Sequence, residues 1–128
     1  IGVRLVGSEM CIRDRAALVV TDWSNIGYEY SFSTLRPVMF VNTPMKVINP
    51  DYKEIGVVPI DLSLRSEIGI EVTGRSADEV AEAAEKLLKT KCFSAEQISK
   101  ARDRSLFNVG KSDEVGGKYI LSRLSQKK

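Results

Sequence analysis

An α/β fold on a small parallel sheet, with helices gathered toward the C-terminus, is what this sequence predicts. Three observations predict it. Residues 16–20 (AALVV) and 38–41 (VMFV) are short, continuously apolar runs of the kind that form strands buried on both faces. Between them lies a helix-length segment whose start, Ser24-Asn25, carries good capping residues, so strand, helix and strand make a βαβ unit. From Ser76 onward the pattern changes to helix-start signals and helical periodicity.

Taken in order, the first strand ends at Thr21-Asp22, and the helix of residues 26–35 follows with Ile26, Tyr30 and Ser33-Thr34 inward. Arg36-Pro37 ends that helix, because a proline keeps the residue before it out of helical geometry. The crossover to the second strand is expected to be right-handed. Residues 42–58 read as loop, punctuated by Pro44, Asn49-Pro50 and Gly56. Residues 59–64 suit either an extended segment or the start of a short helix, and residues 68–72 (IGIEV) a third strand. Ser76-Ala77-Asp78-Glu79 is a capping box opening a helix to Lys89, with Val80, Ala84 and Leu87-Leu88 on its apolar face. Ser94-Ala95-Glu96-Gln97 is a second box, starting a helix that carries Ile98, Ala101 and Leu106. Ser112 is read as the cap of a last helix reaching Ser125, with Val115, Tyr119 and Leu124 inward, and Lys127-Lys128 as a frayed tail. Gly116 and Gly117 weaken that helix by about 1 kcal/mol each relative to alanine. Three strands are too few to cover both faces of a sheet well, so further structure upstream is expected.

Composition bounds the function. The 128 residues are 43% hydrophobic and 28% charged, an ordinary globular balance. A formal net charge of +2 makes no electrostatic case for nucleic acid as a partner. No apolar run approaches the ~20 residues that span a bilayer, which leaves peripheral attachment as the only lipid-facing option. Two cysteines make no disulfide framework and suit a reducing cytoplasm. With no histidine, Ser-His-Asp and Cys-His catalysis within the chain are excluded, along with the commonest zinc ligand sets.

Residues 5–15 (LVGSEMCIRDR) stand apart. The run resembles, codon for codon in one frame, a translation of the transposon-end adapter used in short-read sequencing. Residues 1–15 are therefore read as non-native, and residues 16–128 as the C-terminal fragment of a longer protein. Without Arg4, Glu9, Arg13, Asp14 and Arg15 the remainder holds 16 basic and 15 acidic residues, a net +1, and Cys92 as its one thiol.

The segment that carries chemistry is residues 21–44, TDWSNIGYEYSFSTLRPVMFVNTP. In open α/β sheets ligands sit beyond the carboxyl ends of strands. Here the first strand ends at Asp22, and the helix that follows presents its first amides near Ser24, Asn25 and Ile26, an anion site reinforced by the helix dipole. The Ser24 hydroxyl adds a donor. One turn on, Glu29 is within reach of a ribose whose diphosphate rests on the helix start. Each residue has a plainer reading: Ser24 and Asn25 as simple caps, Glu29 as a solvated helix residue, Arg36 as a helix-end cation. Trp23, Tyr28, Tyr30 and Phe32 read as packing groups rather than base-stacking platforms, Asp51 and Glu54 as loop residues, and Cys92 as structural or incidental.

A strand ending in Asp, a polar turn and an acidic residue seven positions later resemble the nucleotide motif of GT-B glycosyltransferases and UDP-N-acetylglucosamine 2-epimerases. The fuller string, Thr21-Asp22-Trp23-Ser24-Asn25, Glu29-Tyr30 and Arg36-Pro37-Val38-Met39-Phe40, resembles the CDP-glycerol glycerophosphotransferase family more specifically, as do Asn49-Pro50-Asp51-Tyr52 and residues 55–68. The likeness spans residues 16–124, with its specific motifs in residues 21–52. It implies a partial Rossmann-like domain, the C-terminal part of a GT-B enzyme. It also implies a CDP-linked donor, with Ser24 and Asn25 on the diphosphate, Glu29 on the ribose and Asp22 shaping the turn. Asn25 stands where the family commonly has serine, but its amide still donates. The implied reaction is attack of an acceptor hydroxyl on the donor's β-phosphate with release of CMP, building a cell-envelope polymer such as teichoic acid at the inner face of the membrane. The family's base is a histidine of an upstream domain, so this fragment supplies no catalytic residue of its own. No cofactor and no metal ligand are expected. The expected partners are CDP-glycerol or a similar donor, the polymer acceptor and the missing upstream domain. The alternatives are a nucleotide-sugar glycosyltransferase or epimerase of the same fold, and a non-catalytic nucleotide-binding module.

Overall fold

The computed structural model describes residues 14–45, 47, 49–90 and 92–126. Residues 1–13, most of the segment read as non-native and including Cys11, lie outside the described residues, as do Lys127 and Lys128. The chain is a mixed α/β structure. Its elements are β1 (Val19–Thr21), α1 (Ile26–Thr34), β2 (Val38–Val41), a 3-10 turn (Tyr52–Ile55), α2 (Ile60–Ser63), α3 (Arg65–Ile68), β3 (Gly69–Val72), α4 (Ala77–Lys89), α5 (Ala95–Ser105) and α6 (Ser112–Ser125). The sheet runs β1-β2-β3, and both pairings are parallel, Val19 opposite Val38 and Val38 opposite Gly69.

β2 is the centre of the core. Val38, Met39 and Phe40 are fully buried, and successive side chains point to opposite faces of the sheet. Val38 and Phe40 pack with Tyr30 of α1, Leu64, Ile68 of α3, and Ile98 and Ala101 of α5, while Met39 packs with Val72 and Leu87 of α4. Helices therefore cover β2 on both faces. The cover does not extend across the whole sheet: Val20 of β1 is 50% exposed and Glu71 of β3 is exposed.

Two glycines set the spacing of these layers. A Cβ on Gly27 would stand 3.0 Å from Phe40, 3.1 Å from Thr21 and 3.3 Å from Val38, so its absence seats the first turn of α1 directly on the sheet. A Cβ on Gly69 would lie 2.0 Å from the Val38 carbonyl oxygen, a backbone atom that cannot move aside.

Several expectations need correction. β1 begins at Val19 rather than Ala16. The Ala16 carbonyl accepts the Tyr30 hydroxyl at 2.9 Å and the Arg36 guanidinium at 2.8 Å, which hold that stretch outside the ladder. Arg36 thus braces the approach to β1 rather than capping the helix. α1 closes at Thr34, with Leu35 in the left-handed region (φ 54°) donating its N–H to Ser31. The undecided residues 59–64 begin a short helix, and Ile68 ends α3, so β3 starts one residue later than expected.

Both capping boxes are half built. Ser76 Oγ accepts the Glu79 N–H and Ser94 Oγ the Gln97 N–H, each at 3.1 Å. The Glu79 carboxylate, however, turns to the Thr73 N–H and hydroxyl and the Arg75 N–H, while Gln97 donates to the Glu67 carbonyl. On α4, Leu87 is buried and Leu88 is exposed. On the far end of α5, Leu106 is a half-exposed cap residue.

The largest departure is α6. Ser112 is its first residue, with Lys111 at the cap position, and the helix buries no residue: Val115, Tyr119 and Leu124, expected inward, are 42%, 59% and 62% exposed. At 3.6 residues per turn Val115 and Tyr119 share a side, but Leu124 falls about half a turn away. Its apolar residues are divided between two sides, Val115 and Tyr119 on one and Ile120, Leu121 and Leu124 on the other, and all are exposed.

Candidate ligand site at the carboxyl end of the sheet

All three strands point their carboxyl ends to one edge, and the chain beyond β1 and β2 builds that edge. After Thr21 come Asp22 and Trp23, then Ser24 and Asn25 at the start of α1; after Val41 come Asn42 and Thr43. The indole N–H of Trp23 donates to the Thr43 carbonyl at 2.9 Å, which ties the two segments together.

Asp22, Ser24, Asn25 and Glu29 are all exposed. Ser24 Oγ accepts the Ile26 N–H at 3.4 Å, a long contact. Asn25 occupies the cap position, and its carbonyl accepts the N–H groups of Tyr28 and Glu29 at 3.0 and 3.1 Å. Its side chain makes no capping bond, which corrects the plainer reading of Asn25 as a side-chain cap. Asn25 and Glu29, one turn apart, line the same open groove of about 600 Å³, together with Tyr28, Phe32, Asp61 and Arg102. The structure thus brings Asn25 and Glu29 together. Ser24 flanks them at the helix start without lining the groove, and Asp22 stands at the strand end, its carbonyl facing Arg65.

Arg65 is the residue that sequence reasoning missed. Only 2% exposed, it lies with its guanidinium 4.1 Å from the Trp23 ring centre and 4.5 Å from that of Phe40. It donates to the Asp22 carbonyl at 3.4 Å and to Asn42 Oδ1 at 2.8 Å, and its Nε is 3.5 Å from Glu71 Oε2. One side chain therefore gathers residues from the ends of all three strands. A planar, delocalised cation suits this stacked position as lysine would not. The available signal was a charged residue between Leu64 and Ile68, in a stretch whose periodicity decided nothing.

Tyr28 fastens the same region from α1, donating its hydroxyl to the Asp61 carbonyl at 2.6 Å. Burial pushes its phenol up to about 12 from an ordinary 10.0, and the negative charges of Asp61 and Glu71 add to the rise against an opposing pull from Arg65. The phenol stays neutral and remains a donor.

Of the remaining aromatics, Tyr30 is fully buried and Phe32 packs on the core, as expected of packing groups. Exposed Cys92 has its Sγ 2.8 Å from the Thr90 hydroxyl and its N–H on the Thr90 carbonyl. No group of three or more acidic, cysteine or histidine side chains is placed to hold a metal ion among the described residues, and no helix there is long and apolar enough to cross a membrane.

Fold and site define an α/β protein whose polar helix start and aromatic-lined loops meet at the carboxyl end of a parallel sheet. Comparison of the chain with family models, curated proteins and solved structures returns no match.

Proposed function

We propose that the chain is the donor-binding part of a Rossmann-like transferase. It holds CDP-glycerol, or a related CDP-linked polyol, for transfer of the polyol phosphate to a cell-envelope polymer. One observation carries this reading: Asn25, its side chain not spent on capping, and Glu29 line one groove that opens at the start of a helix following a parallel strand and runs along that helix to Ser33. Amides and the helix dipole at that start suit a diphosphate, and a carboxylate one turn on suits the vicinal hydroxyls of a ribose. The chain's part in the reaction is positioning and charge stabilisation. The acceptor hydroxyl attacks the β-phosphorus, the bond from that phosphorus to the bridging oxygen breaks, and CMP leaves carrying that oxygen. With no histidine in the chain, the hydroxyl proton goes to a base supplied from elsewhere, the role the family resemblance gives to an upstream domain.

Calorimetric titration of the chain tests this. CDP-glycerol is expected to bind saturably, with Glu29→Ala and Ser24→Ala each weakening it about tenfold, the loss of one charge-assisted hydrogen bond or a little less. Binding of UDP-sugars with silence toward CDP-glycerol overturns the choice of donor, and silence toward every nucleotide overturns the reading as a whole.

A further inference from the structure

A second groove, of about 410 Å³, opens beside the first at the same end of the sheet. Its walls are mostly apolar: Met45, Val47, Pro59 and Leu62, with the rings of Trp23 and Tyr52. Its polar groups are few, Asn49 and Asp61, and Asp61 lines the first groove as well, so the two adjoin. Met45 and Val47 are 38% and 49% exposed here. The indole is held from behind: Arg65 takes one face at 4.1 Å, and the Thr43 carbonyl takes the ring N–H. A ring fixed in this way loses no freedom when a second planar group stacks on its other face.

We infer that the Trp23–Tyr52 groove stacks the planar heteroaromatic base of the nucleotide whose diphosphate rests at the start of α1. A base needs an apolar slot with aromatic walls and one or two hydrogen-bonding groups at its rim, and these are what the groove supplies. A polyol or sugar phosphate, hydroxylated all round, needs more polar partners than Asn49 and Asp61 offer. The Asp61 carboxylate accepts from an exocyclic amine, and Asn49, whose Oδ1 already takes the Asp51 N–H at 3.0 Å, offers its amide N–H groups as donors. This inference rests on the proposed donor site for its neighbour but is tested separately from it.

Trp23 is the only tryptophan in the chain, so its emission reports on this groove directly. Excited at the red edge of its absorption, it is expected to be quenched saturably by cytidine and by CDP. Glycerol 3-phosphate and ribose 5-phosphate should leave it unchanged. Tyr52→Ala should weaken the quenching by cytidine roughly tenfold, the effect of losing one base–aromatic stack. Trp23→Phe, followed by calorimetry with CDP, keeps a stacking ring and should bind within about threefold of the parent. Quenching by the polyol phosphate but not by cytidine overturns the inference. So does calorimetric binding of CDP with no change in emission, which leaves the donor site standing. Quenching by cytidine in a chain that fails to bind CDP-glycerol upholds the base-stacking groove and removes the proposed function, with its placement of the diphosphate, instead.

Discussion

At the scale of single residues, the account turns on side chains that hold the carboxyl end of the sheet in shape. Arg65 is the chief of these. Replacing it by methionine keeps its bulk but removes the bonds to Asp22, Asn42 and Glu71. Losing one partner of a fully buried ion pair costs about 3–5 kcal/mol, but Glu71 is 38% exposed and regains water, so about 2 kcal/mol is expected. Denaturant unfolding of Arg65→Met and Arg65→Lys measures it, and lysine should rescue little because it cannot stack between two rings. A loss below about 0.5 kcal/mol would show that the cluster is incidental.

Tyr28 gives a residue-scale prediction in pH. Its folded phenol titrates near 12, above the ordinary 10.0 of an unfolded chain, so the neutral form is favoured by folding. That contribution is complete below pH 10 and is lost as pH rises from 10 toward 12. Unfolding midpoints across that window should fall more steeply for the parent than for Tyr28→Phe. Parallel curves would remove Tyr28 as the cause.

At the scale of elements, the sequence was most legible where local chemistry and tertiary packing agree. VMFV is wholly apolar and became the buried central strand. Ser76 and Ser94 announced the starts of α4 and α5 because a cap bond is made within three residues. Reading failed where a distant partner decided the outcome. Glu79 and Gln97 left their boxes for Thr73 and Glu67, and Ala16 was drawn from the ladder by Tyr30 and Arg36. Gly69 shows no signal at all in sequence, since its reason is a carbonyl on another strand. In the site, Asn25 and Glu29 were legible because four residues is one helical turn, whereas Arg65 was not, because its partners lie 23 and 43 positions away.

The contrast between α4 and α6 is testable at this same scale. Leu87→Ala should cost about 2–4 kcal/mol, because Leu87 is 6% exposed and packs with Met39 and Val72. Leu121→Lys, on a position 65% exposed, should change stability by less than about 0.5 kcal/mol. A large loss at Leu121 in thermal or chemical unfolding would mean that α6 is packed rather than exposed.

At the scale of the whole molecule, helices cover the central strand of a three-stranded parallel sheet on both faces, and the carboxyl edge of that sheet gathers the candidate site. α1 brings its start there because Gly27 lets it sit close; the loops after β1 and β2 are joined there by Trp23; and α3 sends Arg65 beneath them. Two adjoining grooves result, one carrying Asn25 and Glu29, the other walled by Trp23 and Tyr52. Connected sites of this kind suit a ligand with a charged middle and a planar end, which is the shape of a nucleotide.

The most direct measurement follows the backbone amide shifts of the isotope-labelled chain while CDP is added. The account places the largest changes at Ser24, Asn25, Ile26 and Gly27, with Glu29 beside them and smaller changes at Tyr52 and Asp61. Changes centred instead on the β3–α4 side, around Glu71 and Glu82, or none anywhere at saturating nucleotide, would contradict it.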